Sequence, residues 1–135
     1  MARGMDITWA GGEHTFLLSL DHMRALQDRC DAGPAWILAR LTSNQWRVDD
    51  VVTTIRLGLE GGGLEKEAAR KLVKIHVEDR PLTLSVLTAQ AVLAHALYGA
   101  EDDPLGEART GTESPAVTRS QEGDGNSPIS TSGQV

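Results

Sequence analysis

The spacing of apolar residues divides the chain into a short region of strand periodicity, a long region of helix periodicity and a stretch with neither. Residues 5–18 read MDITWAGGEHTFLL. Two strands, Ile7–Trp9 and His14–Leu18, are predicted to meet around Ala10-Gly11-Gly12, because paired glycines supply the positive φ angles of a short hairpin turn. Phe16 and Leu18 share sequence parity, which turns them to one side of their strand, and Trp9 is the large apolar residue of the other strand. That side is expected to face whatever the hairpin packs on, since a lone two-stranded hairpin is marginal in water.

From Leu20 to Tyr98 the period becomes helical. Ser19 is the expected N-cap of a first helix, LDHMRALQDRC, whose stripe runs through Leu20, Met23, Leu26 or Gln27, and Cys30. Asp31-Ala32-Gly33-Pro34 breaks it, and Pro34 opens a short second helix, AWILARL, ending near Thr42-Ser43-Asn44. A third helix is expected from Asp49 or Asp50, with Val48, Val51, Val52, Ile55 and Leu59 on one stripe and Gly61-Gly62-Gly63 as its end. The glycines read as a flexible connection to a fourth helix, Leu64 to His76. Its expected inward residues are Leu64, Ala68, Leu72 and Ile75, with Glu67 and Lys71 as an i,i+4 pair.

The fifth helix, opened by Pro81 and closed by Gly99, has two apolar faces. Leu82, Val86, Ala89, Leu93 and Leu97 form one; Leu84, Leu87, Ala91, Ala94 and Tyr98 form the other. Such a helix is either the centre of the core or is buried in part by another chain. Three segments follow: a flexible N-terminus over 1–4, a hairpin plus helical domain over 5–99, and a tail over 100–135. The fold class expected is mainly α, an α+β arrangement of an N-terminal β-hairpin packed on a bundle of about five helices. The tail is rich in Gly, Ser, Thr, Pro and acid, and is expected to be disordered because it has too little apolar surface to offset its ordering entropy.

Charge sharpens this division. Of the net −6, residues 1–100 carry −1 and residues 101–135 carry −5. A nearly neutral body is a poor footprint for nucleic acid. Helix three, the glycines and helix four could be taken for a helix-turn-helix, with Lys66, Arg70, Lys71 and Lys74 as its basic residues, but Glu65 and Glu67 sit where DNA would lie. The single cysteine, Cys30, excludes an internal disulfide and fits a reducing cytoplasm. MARGMD shows no signal-peptide pattern, and the uncharged run Pro81–Ala100 is broken by polar residues and reads as a buried helix, with no membrane span expected.

Candidate chemistry is thin. His14, His22, His76 and His95 are scattered without metal-ligand spacing, so no metal site is expected. Cys30 falls on an apolar stripe and reads as a small hydrophobe, not a nucleophile. GLEGGGLEKEAARK lacks the phosphate-loop order and a preceding strand. With no catalytic residue and no cofactor motif, the chain reads as a binding or assembly module and not an enzyme. Trp9, Trp36 and Trp46 read first as packing residues; Trp46 is either a staple before helix three or an exposed contact.

The order of hairpin, SLDHMRALQDRCDAGPAWILARL, WRVDDVVTTIRLGLEGGG and a helix ending ALYG resembles the small gene transfer agent family proteins, which belong to the tail modules of phages and phage-like gene transfer agents. VVTTIRLGLEGGG carries most of the resemblance, which covers about residues 5–99. Members are labelled either tail assembly chaperone or tail tube component. Tube subunits build rings from extensive β-sheet, and this chain offers two short strands. The resemblance therefore implies a chaperone that binds the tape measure protein before tail tube polymerisation, made in the cytoplasm of the producing cell. The alternatives are a structural, tube-associated component of the particle and, third, a small helical DNA-binding regulator. The implied partners are the tape measure protein, the tail tube protein, or further copies of the chain. Leu82, Val86, Leu93 and Leu97, with Trp9 and Trp46, are the expected contact residues, and the hairpin edge is a further pairing surface.

Overall fold

A computed structural model describes residues 3–99; the expected tail over 100–135 lies outside them, as do residues 1 and 2. Within that body an antiparallel hairpin is followed by five α-helices. The strands β1 (Met5–Trp9) and β2 (Gly12–Phe16) pair with Met5 opposite Phe16 and Trp9 opposite Gly12, leaving a two-residue turn, Ala10-Gly11. β1 therefore starts two residues earlier than its periodicity suggests and ends at Trp9 as expected, whereas β2 starts and stops two residues earlier, and Leu18 lies beyond it although it is buried. The parity reading of Phe16 and Leu18 holds: both enter the core, and Trp9 joins them from β1. On the opposite face, paired Asp6 and Thr15 exchange a 2.6 Å hydrogen bond from the threonine hydroxyl to the carboxylate.

Helix α1 (Leu20–Cys30) starts as its sequence predicts. Ser19 Oγ accepts from the His22 backbone N–H at 3.3 Å, and the His22 ring returns to Ser19, closing a reciprocal cap with an imidazole where a glutamate usually sits. Leu26 and Cys30 are buried, but Leu20 at the first helical position is exposed. Helix α2 (Pro34–Thr42) takes Pro34 at its first turn and buries Ile37, Leu38 and Leu41.

Helix α3 (Val48–Gly61) is the centre of the molecule. It packs against α1, α2, β2, and two later helices, α4 (Lys66–Val73) and α5 (Val86–Tyr98). Its buried set exceeds the predicted stripe: Val51, Ile55 and Leu59 are joined by Asp50, Thr53, Thr54 and Leu57, while Val48 points outward. Asp50 is fully buried and is held by a bidentate ion pair from Arg40 of α2, 2.6 Å from Nη2 and 2.9 Å from Nε. The same carboxylate accepts the Arg47 backbone N–H at 2.8 Å, capping α3, and Arg40 reaches the Cys30 carbonyl at the end of α1. One salt bridge thereby ties the ends of α1 and α2 to the start of α3.

The far end of α3 explains how the hairpin is held. At Gly61 a Cβ would run into the Leu17 carbonyl, and at Gly62 into the Thr15 carbonyl. These two glycines let the last turn of α3 lie directly against the outer edge of β2. The Leu17 N–H also donates to the Gly58 carbonyl at 3.0 Å. The glycine run is therefore a close-packing surface and not the flexible connection that its composition suggests.

Helix α4 departs from its predicted phase. Ala69 and Val73 are buried, Leu64, Ala68 and Leu72 are partly buried, and Ile75 is exposed. A single π turn, Lys74–Glu78, follows and buries Val77. The wider π turn keeps Val77 in line with Val73, where an α-helix would rotate the i+8 position away from Ala69. On its outer side Glu67 pairs with Arg70 at 3.7 Å, and not with Lys71. A 3₁₀ turn, Leu82–Ser85, opened by Pro81, then leads into α5.

Candidate functional site

The two apolar faces of α5 have different fates. Val86, Ala89, Val92 and Leu93 are buried, and Leu82, Ala96 and Leu97 pack partly against the same core. The opposite face holds Leu87, Ala91 and Tyr98, with Ala94 between them partly buried against the core, and is continued by Leu84 on the preceding 3₁₀ turn. Leu84 is 69% exposed, Leu87 74% and Tyr98 76%, and Ala91 is exposed with them. From Leu84 to Tyr98 the steps are 3, 4, 3 and 4 residues, the spacing of a helix–helix seam. Nothing charged interrupts it.

None of the six contact residues expected from the sequence is exposed. Val86 and Leu93 are interior, and Leu82 and Leu97 are partly buried on the inward side of α5. Trp9 is buried, edge-on to Phe16, His14 and His76, with its indole N–H donating to His14 Nδ1 at 2.9 Å. Trp46 is partly buried against the core and donates to Asn44 Oδ1 at 3.1 Å. The tryptophan that does present its ring to solvent is Trp36, 62% exposed on α2. Periodicity located both stripes of α5 but had no means of ranking them, since both are apolar and only the position of α3 decides which turns inward.

The hairpin offers one free edge. The outer edge of β2 is covered by Gly61 and Gly62, whereas β1 has no strand on its outer side. The backbone groups of β1 that point away from β2 are thereby unpaired by any strand among the described residues, with α5 packed nearby.

A second surface lies between α3 and α4. It is an open groove of about 780 Å³ whose walls carry Arg29, Arg56, Lys66, Arg70, Lys71 and Lys74. Glu67 and Glu78 are the acids on it, and Val52, Thr53 and Ile75 give it an apolar strip. Arg29, Arg56, Arg70 and Lys74 have carboxylate neighbours, Asp49, Glu60, Glu67 and Asp79. The hydrogen bond from Lys74 to Asp79 raises the affinity of that amine for its proton. Lys66 and Lys71 have no ion-pair partner among the described residues. The sequence marked the four cations of α4, but it could not show that α1 and α3 add Arg29 and Arg56 to the same groove.

Cys30 is buried beside Asp50, and burial foremost, with that carboxylate's charge second, pushes its thiol up to about 12. It stays protonated at neutral pH and has no nucleophilic character. Among the described residues no cluster of His, Cys, Asp and Glu could hold a metal ion, and no helix is long and apolar enough to cross a membrane.

A family model described as "Phage tail tube protein, GTA-gp10" matches residues 4–99, the whole span of hairpin and helices. No curated protein and no solved structure matches the chain.

Proposed function

Since the chain belongs to the phage tail tube protein family GTA-gp10, we propose that it is a structural, tube-associated component of the tail of a phage or gene transfer agent. The match across residues 4–99 carries this reading, because it takes in every element of the described body. The surfaces available for such a role are the α5 seam and the β1 edge. Both suit contacts with other tail proteins or with further copies of the chain, one by helix packing and the other by strand addition.

A second reading, an assembly chaperone that binds the tape measure protein before the tube polymerises, draws support from the architecture. The described body is helical, its sheet is a single hairpin of five-residue strands, and Leu84, Leu87 and Tyr98 expose apolar surface at the spacing of a helical client. Quantitative mass spectrometry of purified particles separates the two. Stoichiometric presence with the tube protein supports the structural component. Absence from particles, together with capture of the tape measure protein in a co-expression pull-down, would replace it with the chaperone.

A further inference from the structure

The basic groove is not used by either reading. Six of the eleven Lys and Arg residues in positions 1–100 line it, against two of the twelve acids. A body of net −1 thus concentrates positive charge on one side of α4. The intramolecular pairs around the groove do not neutralise it in any lasting way. Three of the four are solvent-exposed, with N···O distances from 2.8 to 3.7 Å. Pairs of that kind are worth about 0–1 kcal/mol and exchange partners readily.

The groove also has an apolar strip, Val52 and Ile75, and Ile75 is half exposed there. A fitting ligand therefore carries negative charge on both sides of an aliphatic group. A phosphate backbone supplies the charge and leaves the strip unused. The chain's own sequence supplies both: Glu101-Asp102-Asp103-Pro104-Leu105-Gly106-Glu107 places four carboxylates within seven residues around one leucine.

We propose that the groove between α3 and α4 receives the acidic segment 101–107 of a second copy of the chain. Carboxylates of that segment meet Lys66, Lys71 and their neighbours, and Leu105 covers Ile75. Each copy then offers one groove and one acidic segment, two different surfaces. Such a contact is satisfied either by reciprocal exchange, in a closed two-fold dimer, or head to tail, in rings or open strings.

The test uses two full-length preparations mixed at equal concentration. One is ¹⁵N-labelled and unmodified. The other is unlabelled, with Gly106→Cys carrying a nitroxide; buried Cys30, its thiol protonated at neutral pH, is not modified. At about 0.01 M salt, where charges act over roughly 30 Å, the amides of Lys66 to Ile75 are expected to lose most of their intensity while those of α2 keep theirs. Lys66→Glu/Lys71→Glu in the labelled copy abolishes the loss, as does 1 M salt, which shortens that range to about 3 Å. Adding Asp102→Lys/Asp103→Lys to the nitroxide copy restores it for the reversed groove. Unchanged intensities in the mixture overturn the proposal. So does broadening that requires nitroxide and ¹⁵N on the same chain, and so does a short DNA duplex that shifts these amides when the nitroxide copy does not.

Discussion

Helices α3 and α5 invert the ranking that composition gives them. Residues 81–100 contain no charged side chain, yet α5 exposes Leu87, Ala91 and Tyr98 on one side. Helix α3 carries Asp49, Asp50, Arg56 and Glu60 and is nonetheless the element on which most of the others pack. Its charges do not keep it at the surface because each finds a partner: Arg40 takes Asp50, Arg56 takes Glu60 at 3.1 Å, and Arg29 takes Asp49 at 3.7 Å. Centrality in this fold is set by polar satisfaction and by close approach at glycine. Apolar content alone does not set it. The surplus apolar surface on α5 then has no role in holding the chain together, which points to a partner.

The sharpest way to break this contrast is to remove the charge pairing of α3. Asp50→Ala leaves the Arg40 guanidinium buried without its carboxylate, and loss of one member of a buried pair costs about 3–5 kcal/mol. Urea unfolding is expected to show a loss of that size with an unchanged slope. A change under about 1 kcal/mol would mean that Arg40 escapes to water and that α3 is less enclosed than described.

Within α5 the contrast is tested by one substitution on each face. Leu93→Ala empties a fully buried site and is expected to cost about 2–5 kcal/mol. Leu87→Ala removes the same atoms from a 74% exposed position and is expected to fall within about 0.5 kcal/mol of the parent. Equal losses would show that both faces are buried in solution, hence that the isolated chain already self-associates through the outer one.

Gly62→Ala comes next, at roughly 1–3 kcal/mol, because a methyl group there meets the Thr15 carbonyl and pushes the hairpin off α3. Trp9 fluorescence should move toward that of a hydrated indole. Alkaline titration adds a weaker handle on the same core. The Cys30 thiol is neutral in the folded protein up to about 12 against a reference of 9.0, so the unfolded chain binds fewer protons between those values. Stability is therefore complete below about pH 9 and declines as pH rises toward 12. Cys30→Ser, which does not ionise there, is expected to flatten that decline.

Much of the fold was legible in the sequence. The Ser19 cap, the Pro34 start, the parity of Phe16 and Leu18, and both stripes of α5 are local patterns, and local patterns survive folding. What escaped depends on contacts distant in sequence. The phase of α4 is fixed by the π turn under Val77, and the use of Gly61 and Gly62 by the arrival of β2. Arg40 lies on a helix whose neighbours are apolar, with its carboxylate ten residues away across a loop, so nothing in its periodicity announces a buried ion pair. The burial of the expected contact set escaped on the same ground. Choosing Val86 and Leu93 over Leu84 and Leu87 required knowing on which side of α5 the third helix lies.

The smallest expected effect on stability is the one that decides whether the outer face of α5 works. Leu87→Asp places a carboxylate at an exposed helical position, with no buried group to disturb and no cavity left behind. Its thermal unfolding is expected to match the parent to within about 0.5 kcal/mol. In contrast, a helix packed on the 3-4-3-4 seam would bury that charge without a partner, and a buried unpaired carboxylate costs far more than the lost leucine contacts. Pull-downs with phage tail tube and tape measure proteins should therefore lose the captured partner with Leu87→Asp and keep it with Thr83→Asp, an exposed position off the seam. Parallel capture by both variants would remove α5 as the contact and leave the β1 edge as the surface to test. Loss in both would show that any added negative charge near α5 is enough, and that the partner is held by charge and not by the seam.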